Sequence, residues 1–144
     1  MNDCIFCKIA SKELPSYTIF EDDDVLSFLD IRPVHPGHSL VISKRHDPDF
    51  LALDQEAIMK MMGTIARIGR AVKTATGADG LNITTNVGAA AGQEVFHVHW
   101  HIIPRFTGDG LRRFPQQEYA SKEEAFAALS HIKSALAIST AKPA

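Results

Sequence analysis

Residues 93–105 constrain the fold more than any other stretch, because three histidines alternate there with apolar residues. The intervening residues favour β-structure, and an alternation with a period of two is typical of a half-buried strand. Successive strand residues point to opposite faces, so we expect His97, His99 and His101 to share one face. The apolar residues between them would then enter a core. Pro104 has no N–H for a sheet ladder and is expected to end the strand.

Three imidazoles on one face indicate a function. A single histidine beside a core is usually structural, but a row of three polar rings is costly unless each ring is used. The spacing does not choose a nucleophile among them. His-x-His on a strand is also a zinc-ligand pattern with an open fourth position. A zinc hydrolase, with one metal shared by His97, His99 and His101, is therefore one hypothesis.

Length and charge narrow the class of protein and its partners. The chain has 144 residues, enough for one domain with a real core, and 45% of them are hydrophobic, which excludes general disorder. The net charge is −2 and no basic run stands out, so we expect neither polymeric nucleic acid nor a membrane as partner. A small anionic ligand remains compatible. No secretory signal and no apolar run of transmembrane length is visible, which predicts a cytoplasmic protein.

Cys4 and Cys7 form a C-x-x-C pair at the start of the chain, and three interpretations compete. A disulfide is disfavoured in a cytosolic protein that has no other cysteine. A thioredoxin-like redox pair requires a preceding strand, and only three residues precede Cys4. A zinc knuckle needs two further ligands, which histidines can supply. Two unmetallated buried thiols are the alternative to zinc.

The remaining β-prone runs predict a mainly antiparallel sheet. Residues 17–21 and 25–29 flank an acidic turn and indicate a hairpin. Residues 39–43 form an apolar run after a loop rich in Pro and Gly, and residues 81–87 alternate again. Together with the histidine strand they predict a sheet of about five strands.

Two helices complete a predicted α+β domain. Apolar residues recur at helical spacing over 54–76, with Asp54 as N-cap and Gly77 as the stop. Ser121 begins a capping box, which predicts a C-terminal helix over about 121–138.

Some polar or terminal residues are expected to have no role in a site. His35 and His131 are interpreted as surface residues, and residues 139–144 are expected to fray. No repeat or linker divides the chain, so we expect a single domain over residues 1–144.

His-Val-His-Trp-His-Ile-Ile resembles the signature of the histidine triad (HIT) family, His-φ-His-φ-His-φ-φ with φ apolar. The flanking segments 91–93 and 104–105 are also similar to that family, and the resemblance covers about residues 4–106. It is nearest to the bacterial Hint-like branch of nucleoside phosphoramidases. The resemblance implies a HIT-like fold with a C-terminal extension, and a homodimer.

The activity that the resemblance implies is hydrolysis of a purine nucleotide at its α-phosphorus. A phosphoramidate, acyl-phosphate or phosphoanhydride bond would be cleaved through a covalent nucleotidyl-histidine, and nucleoside monophosphate would be released. By resemblance, His99 is the nucleophile, and the carbonyl of His97 is a plausible acceptor for its Nδ1–H. His101 would hydrogen-bond the phosphate or help to protonate the leaving group, and His38 would orient the triad from behind. No catalytic cofactor is expected.

The resemblance also implies a binding site and a structural zinc site. The zinc ligands would be Cys4, Cys7, His46 and His97. The substrate-binding residues would be Ile5, Phe6, Ile9, Phe28, Leu29, Asp30, Ile31, Asn86, Gly92, Gln93, Val95, His99 and His101.

Within that set Asp30 would bind the ribose hydroxyls, and Asn86, Gly92, Gln93 and Val95 would surround the α-phosphate. The apolar members would form the base pocket. Glu94 departs from branch members that carry a small hydroxyl residue there, which leaves the leaving-group preference open.

Two further hypotheses stand beside hydrolysis and the zinc hydrolase. A nucleotidyl transferase of the same superfamily would share the covalent intermediate but pass the nucleotide to a sugar phosphate. A nucleotide-binding scaffold protein would have only incidental activity. The small-residue loop 88–93 lacks the Lys-Ser/Thr of a P-loop, so that motif is rejected.

Overall fold

The computed structural model describes residues 3–111 and 114–140, and its contacts divide the chain into two units. The first unit is Met1–Asp109 and the second is Gly110–Ala144. The single-domain organisation of residues 1–144 stays a prediction.

The first unit contains two helices and five strands. In chain order they are α1 (Ile5–Ala10), β1 (Thr18–Glu21), β2 (Val25–Leu29), β3 (Ser39–Ser43), α2 (Gln55–Thr76), β4 (Gly80–Thr84) and β5 (His99–Arg105). Two short 3-10 helices, Phe50–Ala52 and Ala89–Ala91, lie in the connections before α2 and β5. The strands form one antiparallel sheet in the order β1-β2-β3-β5-β4. The predicted α+β class with a five-stranded sheet is confirmed.

The two faces of the sheet bury different clusters, because side chains alternate along each strand. Val41 on β3 packs in the cluster beneath α2, whereas its neighbours Leu40 and Ile42 pack in a second cluster with Phe6 of α1. The α2 cluster also contains Val25, Met61, Ile65, Ile68, Val72, Val98 and Ile102. The sheet is therefore covered by α2 on one face and by α1 on part of the other.

The ends of α2 follow the predicted signals. Asp54 accepts a hydrogen bond from the N–H of Ala57 at 2.9 Å, and Gly77 adopts the left-handed conformation with φ 65°. Such a carboxylate N-cap pairs a backbone N–H that the helix itself leaves unsatisfied, and glycine takes that φ without a Cβ clash.

The strand that carries the histidines differs from the prediction at both ends. It begins at His99, because the N–H of Val98 turns away to donate to the carbonyl of Asp47 at 2.7 Å. His97 therefore lies outside the strand. Pro104 lies inside it, since the pairing with β3 ends at Ile102 and residue 104 is paired only with β4. A proline is tolerated at such an edge position.

Two smaller predictions were also wrong. β4 ends at Thr84, three residues before the predicted end at Val87, and the chain continues there as a loop. His35 is half-buried, with its ring edge-on to Phe106 at 5.3 Å and its Nε2 3.5 Å from a carboxylate oxygen of Asp109. His35 is partly covered by residues that follow β5, about 70 residues later in the chain, so the sequence around His35 does not reveal its burial.

The second unit contains α3 (Lys122–Thr140). Ser121 accepts from the N–H of Glu124 at 3.1 Å, and the Glu124 carboxylate accepts from the N–H of Ala120, so the predicted N-terminal cap is confirmed. The helix extends two residues past the predicted end at 138, and His131 is exposed as expected. The predicted fraying of 139–144 falls largely on residues outside the described part. No helix in the described ranges is long and apolar enough to cross a bilayer.

Candidate active site and metal cluster

A cleft of about 400 Å³ opens on the sheet face that carries α1. That volume falls within the range typical of small-ligand pockets. The residues that line it are Ile5, Phe6, Ile9, Pro15, Ser16, Phe28, Leu29, Asp30, Ile31, Arg32, Leu40, Asn86, Gly92, Glu94, Val95, His99 and His101. One wall is mainly apolar and comes from α1 and the end of β2. A second wall comes from the loop between β4 and β5, which contributes Asn86, Gly92, Glu94 and Val95.

His99 is held in one tautomer at the floor of this cleft. It is buried, and its Nδ1 lies 2.7 Å from the carbonyl oxygen of His97. A carbonyl can only accept, so Nδ1 carries the proton and Nε2 keeps its lone pair. The ring of Phe6 packs edge-on against His99 at 5.1 Å and limits its rotation.

His38 and His101 form a hydrogen-bonded relay whose protons can be assigned. The N–H of Val34 donates to Nδ1 of His38 at 3.2 Å, which places the His38 proton on Nε2. That Nε2–H donates to Nδ1 of His101 at 2.9 Å, so the proton of His101 is on Nε2. A carboxylate oxygen of Asp30 lies 3.7 Å from Nε2 of His38 and favours its N–H. The relay leaves His101 as a neutral hydrogen-bond donor.

Burial keeps these rings neutral. It lowers the pKa of His38 and of His97 below the ordinary value of histidine. It also lowers the pKa of His101 to about 4, with further lowering by His99 and His38. At neutral pH His101 therefore donates as an imidazole, because its imidazolium form is scarce.

The loop wall of the cleft is braced by Gln93. Its side-chain oxygen accepts from the N–H of Gly88 at 2.8 Å, and its side-chain nitrogen donates to the carbonyls of Pro48 and Val95. The side chain is buried and does not line the cleft. Direct contact between Gln93 and a phosphate is thus not supported by its placement, since all its polar atoms are already used.

A glycine completes this loop. Gly92 lines the cleft with φ 89°, a conformation that L side chains rarely adopt, and its carbonyl accepts from the side-chain amide of Asn86 at 3.2 Å. Without a Cβ the backbone of Gly92 stays open to a ligand.

Cys4, Cys7, His46 and His97 converge on a second site, separate from the cleft. Their ligand atoms all lie within 4.8 Å of one another. Nδ1 of His97 is 3.5 Å from the sulfur of Cys4 and 3.5 Å from that of Cys7, and Nδ1 of His46 is 3.3 Å from the sulfur of Cys7. A tetrahedral zinc ion with its usual bond lengths would place sulfur and nitrogen about 3.6 Å apart.

The tautomer of His97 also suits a metal. Its Nε2–H donates to the carbonyl of Ser43 at 2.8 Å, which leaves the Nδ1 lone pair facing the two sulfurs. Burial raises the pKa of the Cys7 thiol, so a metal would have to displace its proton. The two cysteines are free thiols. The donor set and its spacing fit a zinc ion.

Two other metal arrangements do not fit. Asp30, His38 and His101 lie within reach of a common point. However, the ring centroids of the two histidines are 5.1 Å apart with 2.9 Å between their nitrogens, so the nitrogens point at each other rather than at a shared ion. In the described residues no metal-sized cluster contains His97, His99 and His101 together. A zinc hydrolase that uses all three rings is thus inconsistent with this geometry.

Most of the predicted site residues come together. His38 lies behind His101, the place that the resemblance implies for it, whereas Gln93 does not line the cleft. The prediction missed Arg32 and Leu40, which do line it. The alternation along β3 could have revealed Leu40. Its side chain lies on the sheet face opposite to that of Val41, and the residue pairs with His101 on the neighbouring strand. Nothing in the local pattern distinguishes Arg32.

Residues 11–108 match the HIT domain family, so the chain belongs to the HIT family. It is 50% identical over 113 residues to an uncharacterized HIT-like protein of Borreliella burgdorferi, a match that covers 77% of this chain and 81% of the relative. It is 44% identical over 110 residues to adenylylsulfatase HINT3 of Arabidopsis thaliana, covering 76% of this chain and 56% of that longer protein. The family therefore includes a named nucleotide hydrolase.

Solved structures agree with the fold. SMU.412c from Streptococcus mutans superposes with a TM-score of 0.85 at 44% identity, covering 93% of this chain and 86% of that one. A zinc-bound histidine triad family protein from Mycobacterium smegmatis superposes with a TM-score of 0.73 at 40% identity, covering 93% of this chain and 98% of that one. A hypothetical histidine triad nucleotide-binding protein from Sulfolobus tokodaii superposes with a TM-score of 0.71 at 35% identity, covering 91% of this chain and 90% of that one.

Proposed function

We propose that this protein hydrolyses purine nucleotides at the α-phosphorus through a covalent nucleotidyl-histidine formed on His99. The observation that carries the proposal is the bond from Nδ1–H of His99 to the His97 carbonyl at 2.7 Å. It leaves the Nε2 lone pair free at the floor of a ligand-sized cleft, and a neutral imidazole is a competent nucleophile near pH 7.

The reaction proceeds in two steps. The Nε2 lone pair of His99 bonds to phosphorus, and the bond from phosphorus to the leaving group breaks. A leaving amine departs with the bonding electron pair and takes a proton from water. Water then attacks phosphorus, the P–Nε2 bond breaks, and nucleoside monophosphate is released. The net change is the addition of one water molecule.

His101 stabilises the phosphoryl oxygens. Of the two roles that the family resemblance implies, donation from Nε2–H to the phosphate agrees better with a pKa near 4 than protonation of the leaving group at neutral pH. His38 holds the ring of His101 through the 2.9 Å bond and acts as a positioning residue.

The nucleoside would occupy the apolar wall. Phe6 and Phe28 present aromatic surface there. One carboxylate oxygen of Asp30 accepts a hydrogen bond from the N–H of Arg32, and the other lies near Nε2 of His38. An apolar slot with one acceptor at its edge suits a purine ribonucleoside. Asn86 and Gly92 on the loop wall would contact the α-phosphate, and Gln93 would support that loop.

A structural zinc ion belongs to the same proposal. Cys4, Cys7, His46 and His97 would hold it as a closed four-ligand site, which gives the ion a folding role and no open position for chemistry. The zinc-bound neighbour from Mycobacterium smegmatis supports this. No step of the reaction uses the ion, and no catalytic cofactor is needed.

Homodimerisation and a cytoplasmic location complete the proposal. Met59 on α2 is 65% exposed beside the apolar stripe that faces the sheet, and it offers surface to a second copy. Two free thiols agree with a reducing compartment. Light scattering of the purified protein tests the dimer, and a mass of one chain at all concentrations would contradict it.

Rapid quenching tests the reaction. The protein is mixed briefly with adenosine 5′-phosphoramidate, quenched and analysed by intact-mass and peptide mass spectrometry. A nucleotidyl adduct on His99 is expected in wild type and absent in His99→Ala, while the exposed His131→Ala serves as a matched control that keeps it. Turnover by a folded His99→Ala would overturn the proposal.

The same experiment separates the alternatives. Transfer of the trapped nucleotide to an added sugar phosphate in preference to water would favour the transferase. Nucleotide binding without adduct or turnover would favour a scaffold protein.

A further inference from the structure

Resting on the proposed function, we infer that Glu94 selects substrates whose leaving group carries a positive charge. Glu94 lines the cleft from its loop wall, and its side chain is exposed. Within the described ranges its carboxylate has no hydrogen bond and no salt bridge. A carboxylate that no protein cation neutralises attracts a positively charged part of a bound ligand and repels a negatively charged part.

The position of Glu94 places it beside the leaving group. In the proposed function the apolar wall of α1 and β2 takes the nucleoside. His99 is buried at the floor of the cleft, and Glu94 is an exposed lining residue on the loop. Nucleophile and leaving group are on opposite sides of phosphorus in a displacement of this kind. The group that departs therefore points away from His99, toward the opening of the cleft, where the exposed side chain of Glu94 lies on the loop.

The charges of the cleft agree with this assignment. Its charged lining residues are Asp30, Arg32 and Glu94. Asp30 and Arg32 are neighbours at the end of β2 and lie on the nucleoside side. Glu94 is the charged lining residue of the loop wall, and His101 adds no positive charge at neutral pH because burial lowers its pKa to about 4. No lysine or arginine of the lining set is on that wall to accept an anionic leaving group.

The substrate class follows from these charges. Phosphoramidates of diamines, or acyl phosphates whose acyl group carries a free ammonium, place a cation near Glu94. Sulfate, pyrophosphate or a second nucleotide would place an anion there. At about 4 Å in water, one unit charge changes the rate or affinity by about fivefold, so cationic and anionic leaving groups should differ by about 25-fold.

A matched substrate series tests the inference. Three adenosine 5′-phosphoramidates share the same P–N bond and differ in the leaving amine: ethylenediamine is cationic, n-propylamine is neutral and glycine is anionic. In each case the P–N bond breaks and the amine nitrogen takes a proton from water. The quantity to measure is the ratio of kcat/KM for the cationic substrate to that for the anionic one. Intrinsic reactivity cancels when this ratio is compared between variants.

The variants change charge alone as far as possible. Glu94→Gln should lower the ratio about 25-fold, and Glu94→Lys should lower it further. Asp23→Asn is the control, because Asp23 is exposed in the turn at the other end of β2 and its loss removes the same charge away from the cleft. It should keep the wild-type ratio. The wild-type ratio should also shrink in 1 M salt, where charges are screened within about 3 Å.

The outcomes separate this inference from the proposed function. A ratio that is unchanged in both Glu94 variants, each with a wild-type thermal transition, overturns the role of Glu94 and leaves the hydrolase intact. Failure of the wild type to cleave any of the three substrates overturns both. An equal loss of preference in Asp23→Asn would show a general charge effect and would also overturn the inference.

Discussion

Removal of zinc should unfold the first unit at a much lower temperature, because the proposed ion holds α1 in place. This helix has six residues, too few for stability alone, and Phe6 is its one buried residue. Cys4 and Cys7 would tie it to His46 after β3 and to His97 before β5. A ligand present at about 1,000 times its dissociation constant stabilises the folded state by about 4 kcal/mol. For a unit of this size that corresponds to about 15 °C in Tm.

The measurement is thermal unfolding of zinc-loaded and chelator-treated protein, with metal content determined in parallel. Cys7→Ser should melt about 15 °C below the loaded wild type and respond little to added zinc. His131→Asn, which replaces a histidine outside the cluster, should behave as wild type. Because protons compete with the metal for the thiols, zinc affinity should fall as pH falls. A wild type whose Tm is unaffected by complete zinc removal would refute the reasoning.

Three further predictions concern the histidine relay and the loop that closes the cleft. His38→Asn should lower kcat about 10- to 100-fold with little change in KM, because His101 loses its orienting donor; an unchanged kcat would contradict this. In the unfolded chain the ring of His101 binds a proton near pH 6.5, whereas in the folded protein its pKa is lowered to about 4. The free energy of unfolding should therefore fall as pH falls from 6.5 to 4. Denaturant titrations at several pH values give the slope of that free energy against pH, and His101→Gln should reduce it by at most about 1.4 kcal/mol per pH unit. Equal slopes in the variant and the wild type would argue against a buried neutral ring. Gln93→Ala should destabilise the protein by about 1–3 kcal/mol, since it leaves the N–H of Gly88 and two carbonyls without partners, as urea unfolding would show; a stable but inactive variant would instead indicate direct substrate contact.

Local patterns predicted the elements well where one residue decides the structure. Asp54 and Gly77 end α2 because each satisfies or permits a particular backbone conformation, and a sequence displays both directly. The alternation around His99 also identified the buried face, since the period of two belongs to the strand itself.

Predictions failed where a distant partner decides. His97 leaves the strand because Val98 donates to Asp47, about fifty residues earlier in the chain. The hydrogen bond from the Gln93 side chain to the carbonyl of Pro48 was likewise not visible in the sequence. His35 is covered by Phe106. Each of these contacts depends on how β3 and β5 pair, which no short stretch of residues encodes.

His97 connects two sites through different atoms, and this affects how mutagenesis of the triad must be interpreted. Its ring belongs to the cysteine cluster, while its main-chain oxygen orients His99. Replacement by alanine removes the ring but retains the oxygen, so any lost turnover would report a displaced backbone and not a missing reactive group. A loss of turnover in an alanine scan of the three alternating positions would therefore not by itself assign a reactive ring to His97, because only the other two rings line the cleft.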